Sequence, residues 1–230
     1  MVLVFDLDDT LYNERSYVES GLRAVAEFGQ EAFGWNRQAS LGCMIDALNR
    51  EGRGTIFNRW LASHGRDQKS LVQKCVRIYR HHTPRLRLDP HAQKLLTSLK
   101  NYPLYVVTDG HKVVQQGKIE ALGIERRFRK IFITHRYGLH HAKPSTYCFD
   151  LIRKRERCDW RDMVYIADNP AKDFVNLNKL GVTTVRVRTG MHKNAQGPKA
   201  CDARYTIPNL SHLRKLLSLG TKTLGTKQGA

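Results

Sequence analysis

The chain has 230 residues, of which 41% are apolar and 26% charged, a composition that is ordinary for a globular protein. No stretch approaches the roughly 20 apolar residues of a membrane span. Acidic residues interrupt the N-terminal apolar run by position 6, so the N-terminus lacks a secretory pattern and we expect no leader there. We therefore expect a cytoplasmic protein without a membrane segment. The five cysteines are scattered and form no Cys-x-x-Cys pair, so we expect reduced thiols.

The net charge of +18 is the unusual bulk property of the chain. It favours an anionic partner, such as a phosphorylated metabolite, a nucleic acid or an anionic lipid. The same net charge is also expected of a protein whose basic surface is merely solvated and binds no specific partner. The basic residues form groups near 126–130, 153–157 and 186–199, and no aromatic-interleaved RNA-binding signature or zinc-finger spacing accompanies them. Nucleic acid is therefore not the partner that the sequence favours.

The first predicted element is a buried strand over the apolar residues 2–5, and Asp6, Asp8 and Asp9 follow it at once. Carboxylates this close repel one another and raise each other's pKa unless a positive charge lies among them. A divalent cation with oxygen ligands supplies that charge, and Mg²⁺ is the commonest such ion. The N-terminus is therefore a candidate metal-assisted active site.

The segment 14–83 predicts a four-helix insert, because apolar residues recur there at helical spacing in four stretches separated by glycines. Asp89-Pro90 then reads as a helix cap followed by proline at the first helical position. Apolar runs at 104–107, 131–133, 163–167 and 182–187 predict strands that alternate with helices. We therefore predict an α/β fold with a Rossmann-like parallel sheet. Residues 219–230 lack periodicity and are predicted to form a flexible tail.

Polar residues follow three of these strands, at Asp6, Thr108 and Asp168. Parallel sheets place ligands at the carboxyl ends of their strands. The stretches Asp6–Thr10, Thr108–Gly110, Lys143-Pro144 and Asp168–Asp173 resemble, in order and spacing, the four motifs of the haloacid dehalogenase-like hydrolase superfamily. The resemblance extends over nearly the whole chain. One departure is Ala167, where many relatives have glycine.

The resemblance implies a Rossmann-like catalytic core over 1–13 and 84–218, with a helical C1-type cap over 14–83. Most such proteins are Mg²⁺-dependent phosphatases. Asp6 is then the nucleophile that forms an aspartyl-phosphate. Asp8 acts as general acid and base, because residues two apart in a strand face the same side.

The remaining site residues have predicted roles around that pair. We expect the phosphoryl oxygens to contact Lys143 and the turn Thr108, Asp109 and Gly110. The predicted metal ligands are Asp6, Asp168 and Asp8, the last through its carbonyl. The predicted supporting residues are Asp173, which orients Lys143 or a metal-bound water, together with Thr10 and Asn169. The candidates for substrate contact are Asn13 and Tyr17.

The predicted reaction is Mg²⁺-dependent hydrolysis of a small anionic phosphomonoester, of the sugar phosphate or nucleotide type. A phosphomutase uses the same aspartyl-phosphate and remains an alternative. So does a basic nucleic-acid-binding protein without catalysis, which the net charge alone suggests. A true haloacid dehalogenase needs neither Asp8 as an acid nor a metal site, so Asp8 and Asp168 argue against it. The sequence does not specify an oligomeric state.

Overall fold

The computed structural model describes residues 1–224, and six parallel strands form one sheet among them. The strands are β1 Val2–Phe5, β2 Leu104–Thr108, β3 Lys130–Ile133, β4 Met163–Ala167, β5 Thr183–Val187 and β6 Tyr205–Ile207. Their order in the sheet is β3-β2-β1-β4-β5-β6. The predicted α/β class with a Rossmann-like parallel sheet is confirmed. The sequence did not predict β6, which is three residues long with only Ile207 buried.

The register of the central strands explains how distant polar residues reach one edge. Phe5 pairs with Val106 on one side and with Ile166 on the other. These three residues lie one or two positions before Asp6, Thr108 and Asp168. Every residue of β1, β2 and β4 is buried, as expected for parallel strands covered on both faces. The pairing of these buried strands therefore brings Asp6, Thr108 and Asp168 to the same edge of the sheet.

Nine α-helices lie within residues 1–224. They are α1 Glu14–Phe33, α2 Arg37–Glu51, α3 Ile56–Ala62, α4 Lys69–His81, α5 Pro90–Ser98, α6 Lys112–Leu122, α7 Tyr147–Glu156, α8 Val175–Leu180 and α9 Leu213–Leu224. Asp89 caps α5 by accepting from the backbone N–H of His91 at 2.8 Å, with Pro90 at the first helical position. The predicted tail overlaps the end of α9, and residues 225–230 lie outside the described residues.

The chain divides into two compact units. One contains residues 1–14, 87–115 and those from 122 onward, and carries the whole sheet. The other contains residues 15–86 and 116–121. The helices α1 to α4 occupy the segment where the sequence predicts the cap. The cap role itself stays a prediction.

The helical unit has its own apolar core, in which Trp60 and Cys75 are fully buried. At its edge, His82 Nδ1 donates to the Tyr79 carbonyl at 2.7 Å, and Nε2 lies 3.1 Å from the Ser20 hydroxyl. Burial lowers the pKa of His82, because a charged imidazole is poorly solvated there. The neutral ring fits this arrangement, since Nε2 then accepts from the hydroxyl.

Within the described residues no helix has the length and apolarity that crossing a membrane requires. All five cysteines lie in this part of the chain and are free thiols. The prediction of reduced cysteines therefore agrees with the structure.

Candidate active site

A buried lysine lies at the centre of the carboxyl edge, by which we mean the edge of the sheet where the carboxyl ends of the parallel strands meet. Lys143 Nζ lies 2.9 Å from Asp6 Oδ1 and 2.8 Å from Asp173 Oδ1, and it donates to the Tyr165 hydroxyl at 3.0 Å. The side chains of Lys143, Asp6 and Asp173 are at most 5% exposed. Burial alone lowers a lysine pKa, but the two carboxylates prevail and raise the pKa of Lys143 well above its usual value. Lys143 is therefore a permanent positive charge beside Asp6.

Three carboxylates meet at this edge. Asp6, Asp168 and Asp173 are buried, and each offers an oxygen within 4.8 Å of the others. Burial, with repulsion from Asp6 and Asp173, raises the pKa of Asp168 to about 9. Burial likewise raises the pKa of Asp6 to about 6, although Lys143 opposes the rise. Lys143 alone therefore leaves excess negative charge, and these oxygen donors suit a hard divalent cation.

The carboxylate of Asp8 lies outside this three-carboxylate group and has partners of its own. The Tyr12 hydroxyl donates to Asp8 Oδ1 at 2.5 Å, and Gln115 Nε2 donates to Asp8 Oδ2 at 2.9 Å. The same Gln115 nitrogen lies 2.6 Å from Thr108 Oγ1. Gln115 is 1% exposed. One buried amide therefore positions both the predicted acid and the predicted phosphate-binding hydroxyl.

The side chain of Asp109 is held by neighbouring groups of the protein, and the predicted contact of its turn with phosphate stays a prediction. Its Oδ1 accepts from Thr134 Oγ1 at 2.8 Å and from the Lys143 backbone N–H at 3.1 Å, and its Oδ2 lies 3.1 Å from Lys172 Nζ. Although burial raises it, the two lysines hold the pKa of Asp109 below its usual range. Asp109 thus fixes both lysines in place, and Lys172 is a second cation that the sequence analysis missed.

The predicted supporting residues lie at this edge too. Asn169 accepts from the Ala171 N–H at 3.0 Å, and its own N–H donates to Asp173 Oδ2 at 3.1 Å. Within the described residues, the buried Thr10 hydroxyl has no hydrogen-bond partner. Gly110 has φ +133°, and a Cβ there would come within 3.2 Å of Gln115. Gly110 therefore permits the close packing of that amide.

The two candidates for substrate contact differ in exposure. Asn13 is exposed and lines a cavity of about 190 Å³, together with Tyr12 and Gly190. Tyr17 belongs to the helical unit and is only 3% exposed. Its hydroxyl donates to the Tyr79 carbonyl at 3.3 Å. Contact with substrate stays a prediction for both residues.

A further contact fixes the turn that carries Asp9, whose φ is +52°. The Asp9 carboxylate accepts from the backbone N–H groups of Glu14 and Met191, each at 2.9 Å. Thr189 Oγ1 donates to the Asp9 carbonyl at 2.5 Å. Gly190 makes room for this, since a Cβ there would lie 1.9 Å from Asp9 Cγ. The chain after β5 thus holds the turn that follows Asp8.

Comparisons with known proteins agree with this geometry. The sequence model described as "Haloacid dehalogenase-like hydrolase" matches residues 3–187. The glyceraldehyde 3-phosphate phosphatase of Methanocaldococcus jannaschii is 30% identical over 92% of this chain and 94% of its own length. The enzyme of the same name from Pyrococcus abyssi is 28% identical over 94% of this chain and 93% of its own length.

Two solved structures show the same fold. The HAD-hydrolase YfnB of Bacillus subtilis, bound to magnesium, superposes with a TM-score of 0.68 at 21% identity, covering 94% of this chain and 97% of that one. A HAD phosphatase from Thermococcus onnurineus gives 0.59 at 22% identity, with the same two coverages. With the family match and the 30% identical relative, the resemblance of the four motifs is confirmed, and the chain belongs to the haloacid dehalogenase-like hydrolase family.

Proposed function

We propose that this protein is a Mg²⁺-dependent phosphatase that hydrolyses a small sugar phosphate through an aspartyl-phosphate on Asp6. The observation that carries the proposal is the buried Lys143, 2.9 Å from Asp6 in a cluster of three carboxylates at the strand ends. The relatives named glyceraldehyde 3-phosphate phosphatase support this substrate class, and they favour water over a sugar hydroxyl as the acceptor.

In the first step an Asp6 oxygen attacks phosphorus, and the bond between phosphorus and the ester oxygen breaks. Asp8 gives its proton to the departing oxygen. In the second step Asp8 takes a proton from water, whose oxygen attacks the same phosphorus and releases Asp6 and inorganic phosphate. Lys143 favours the ionised carboxylate of Asp6 before the attack and orients it, and in both steps its charge offsets that of the phosphoryl oxygens.

Asp6, Asp168 and the Asp8 carbonyl would hold the metal ion. The ion supplies further neutralisation of the phosphoryl oxygens. Asp173 lies within the same cluster, but its Oδ1 contacts Lys143 and Tyr165 and its Oδ2 accepts from the Asn169 N–H. We therefore assign Asp173 to positioning Lys143 rather than to the metal. Asp109 takes the same kind of role, and the Thr108 hydroxyl and the backbone N–H groups of its turn contact the phosphate.

The test measures phosphate release from glyceraldehyde 3-phosphate and from a panel of sugar phosphates and nucleotides. We expect turnover with Mg²⁺, none with excess chelator, and recovery when Mg²⁺ is restored. Asp6→Asn should abolish turnover, whereas Asp46→Asn, at an exposed position of α2, should leave it unchanged. Turnover that survives chelation or Asp6→Asn would contradict the proposal, and turnover of nucleotides alone would contradict the substrate class.

A further inference from the structure

The two ends of the parallel strands carry opposite charge. The carboxyl edge carries the acidic site, whereas the amino edge is where the chain enters β3 and β4. Residues 125–130 and 154–162 lie there and contain eight cations and four carboxylates, a net charge of +4. Six of the eight cations are arginines. We call these two segments the basic edge.

The fold joins two basic groups that the sequence separates. Arg129 donates through its backbone N–H to the Leu104 carbonyl at 2.8 Å, at the start of β2. Its guanidinium contacts Glu156 at 2.7 Å, at the end of α7. Tyr105 donates to the same carboxylate. Glu156 therefore holds the entry to β3 against the C-terminal end of α7, and the two groups form one surface.

The carboxylates of the basic edge are directed largely toward the protein's own donors. Glu156 accepts from Tyr105 and Arg129. Asp159 accepts from the Arg161 N–H at 3.0 Å, and Asp162 accepts from the Asp159 N–H at 2.9 Å. Because these carboxylates are engaged in such contacts, the arginines and lysines dominate the electrostatic potential at this surface.

An aromatic ring also lies at this edge. Tyr102 is 40% exposed in the turn that leads into β2, the neighbour of β3. Tyr205, at the start of β6, is 49% exposed at the far end of the same edge. Phe128, inside the first basic segment, is buried, so Tyr102 is the exposed ring that the fold places beside that segment. Unpaired bases stack on such rings.

We infer that the basic edge binds single-stranded nucleic acid, on the side of the sheet opposite the carboxyl edge. Arginine pairs with two phosphate oxygens at once, which suits a nucleic-acid backbone. The two basic segments lead into β3 and β4, which are three strand spacings apart in the sheet, or about 14 Å at about 4.8 Å each, so one extended nucleic-acid strand can reach both. The exposed Tyr102 and Tyr205 give unpaired bases rings on which to stack. The inference is independent of the proposed phosphatase activity.

The test uses a fluorescein-labelled, mixed-sequence RNA of about 20 nucleotides and follows its polarisation with the full-length protein between 50 and 250 mM KCl. The triple variant Arg126→Ala, Lys130→Ala, Arg155→Ala removes three exposed cations of the basic edge. We expect its affinity to fall at least about tenfold, and the slope of log affinity against log salt to fall by about 2. Tyr102→Ala should weaken binding about fivefold without changing the slope.

A matched triple variant removes the same charge elsewhere, through Arg50→Ala, Lys69→Ala and Arg77→Ala at exposed positions of α2 and α4. It should bind within twofold of the wild type, and all variants should melt within about 2 °C of it. Equal weakening by both triples would overturn the inference, because net charge would then explain binding. The absence of RNA binding at 50 mM KCl would also overturn the inference. The same holds if the protein binds vesicles containing phosphatidylserine but does not bind the RNA.

Discussion

Replacing Gln115 with leucine removes one buried amide and leaves the size of the side chain nearly unchanged. The amide donates to Asp8 at 2.9 Å and lies 2.6 Å from the Thr108 hydroxyl. A hydrogen bond to a charged group contributes about 1.5–3 kcal/mol. If that bond holds Asp8 in its productive orientation in the transition state, its loss lowers kcat by about 10-fold to 100-fold. Gln115 is thus predicted to be a positioning residue.

The assay compares kcat and KM of Gln115→Leu with those of Gln116→Leu. Gln116 donates instead to Glu120 on its own helix at 2.7 Å, so the control removes an equal amide from the next position. We expect the control to keep kcat within about twofold, and both proteins to give single cooperative melting transitions. A folded Gln115→Leu enzyme with the kcat of the wild type would refute the positioning role.

Two further predictions concern stability. Gly190→Ala should lower the free energy of unfolding by at least about 2 kcal/mol in a urea titration, because φ is +59° and the new Cβ would overlap Asp9. Gly197→Ala, which meets no atom within 4 Å, should change it by less than about 0.5 kcal/mol, and an equal loss in both would contradict this reasoning. The wild type should lose stability as pH falls below about 6.5, because the unfolded chain then protonates His82 more readily than the folded one. His82→Gln should reduce that loss and the exposed His81→Gln should not; identical urea midpoints against pH in wild type and His82→Gln would exclude His82 as the cause.

The sheet and its catalytic edge could be predicted because the signals are local. An apolar run followed by acidic or hydroxyl residues marks each strand end at Asp6, Thr108 and Asp168, and parallel pairing brings such ends together. The strand β6 was missed because it is three residues long and mostly exposed. Lys172 was visible inside the last motif, but its contact with Asp109 depends on a loop 63 positions earlier.

The partners of Asp8 could not be predicted from the sequence for a related reason. Gln115 lies 107 positions away in the middle of an ordinary helical pattern, and no residue spacing indicates that its amide reaches Asp8. The basic edge also depends on tertiary contacts, since Glu156 joins groups that are 27 positions apart. Residue types and order thus predict the chemistry of the site, whereas the donors that orient it depend on packing.

The central claim is that Asp6 carries the phosphoryl group during turnover. The most direct measurement is a single-turnover reaction with a substrate radiolabelled in its phosphoryl group, quenched in acid and analysed by peptide mapping. We expect an acid-stable, base-labile label on the peptide that contains Asp6, absent from Asp6→Asn and present in Asp46→Asn. Turnover without a labelled peptide, or a label on another residue, would contradict the claim.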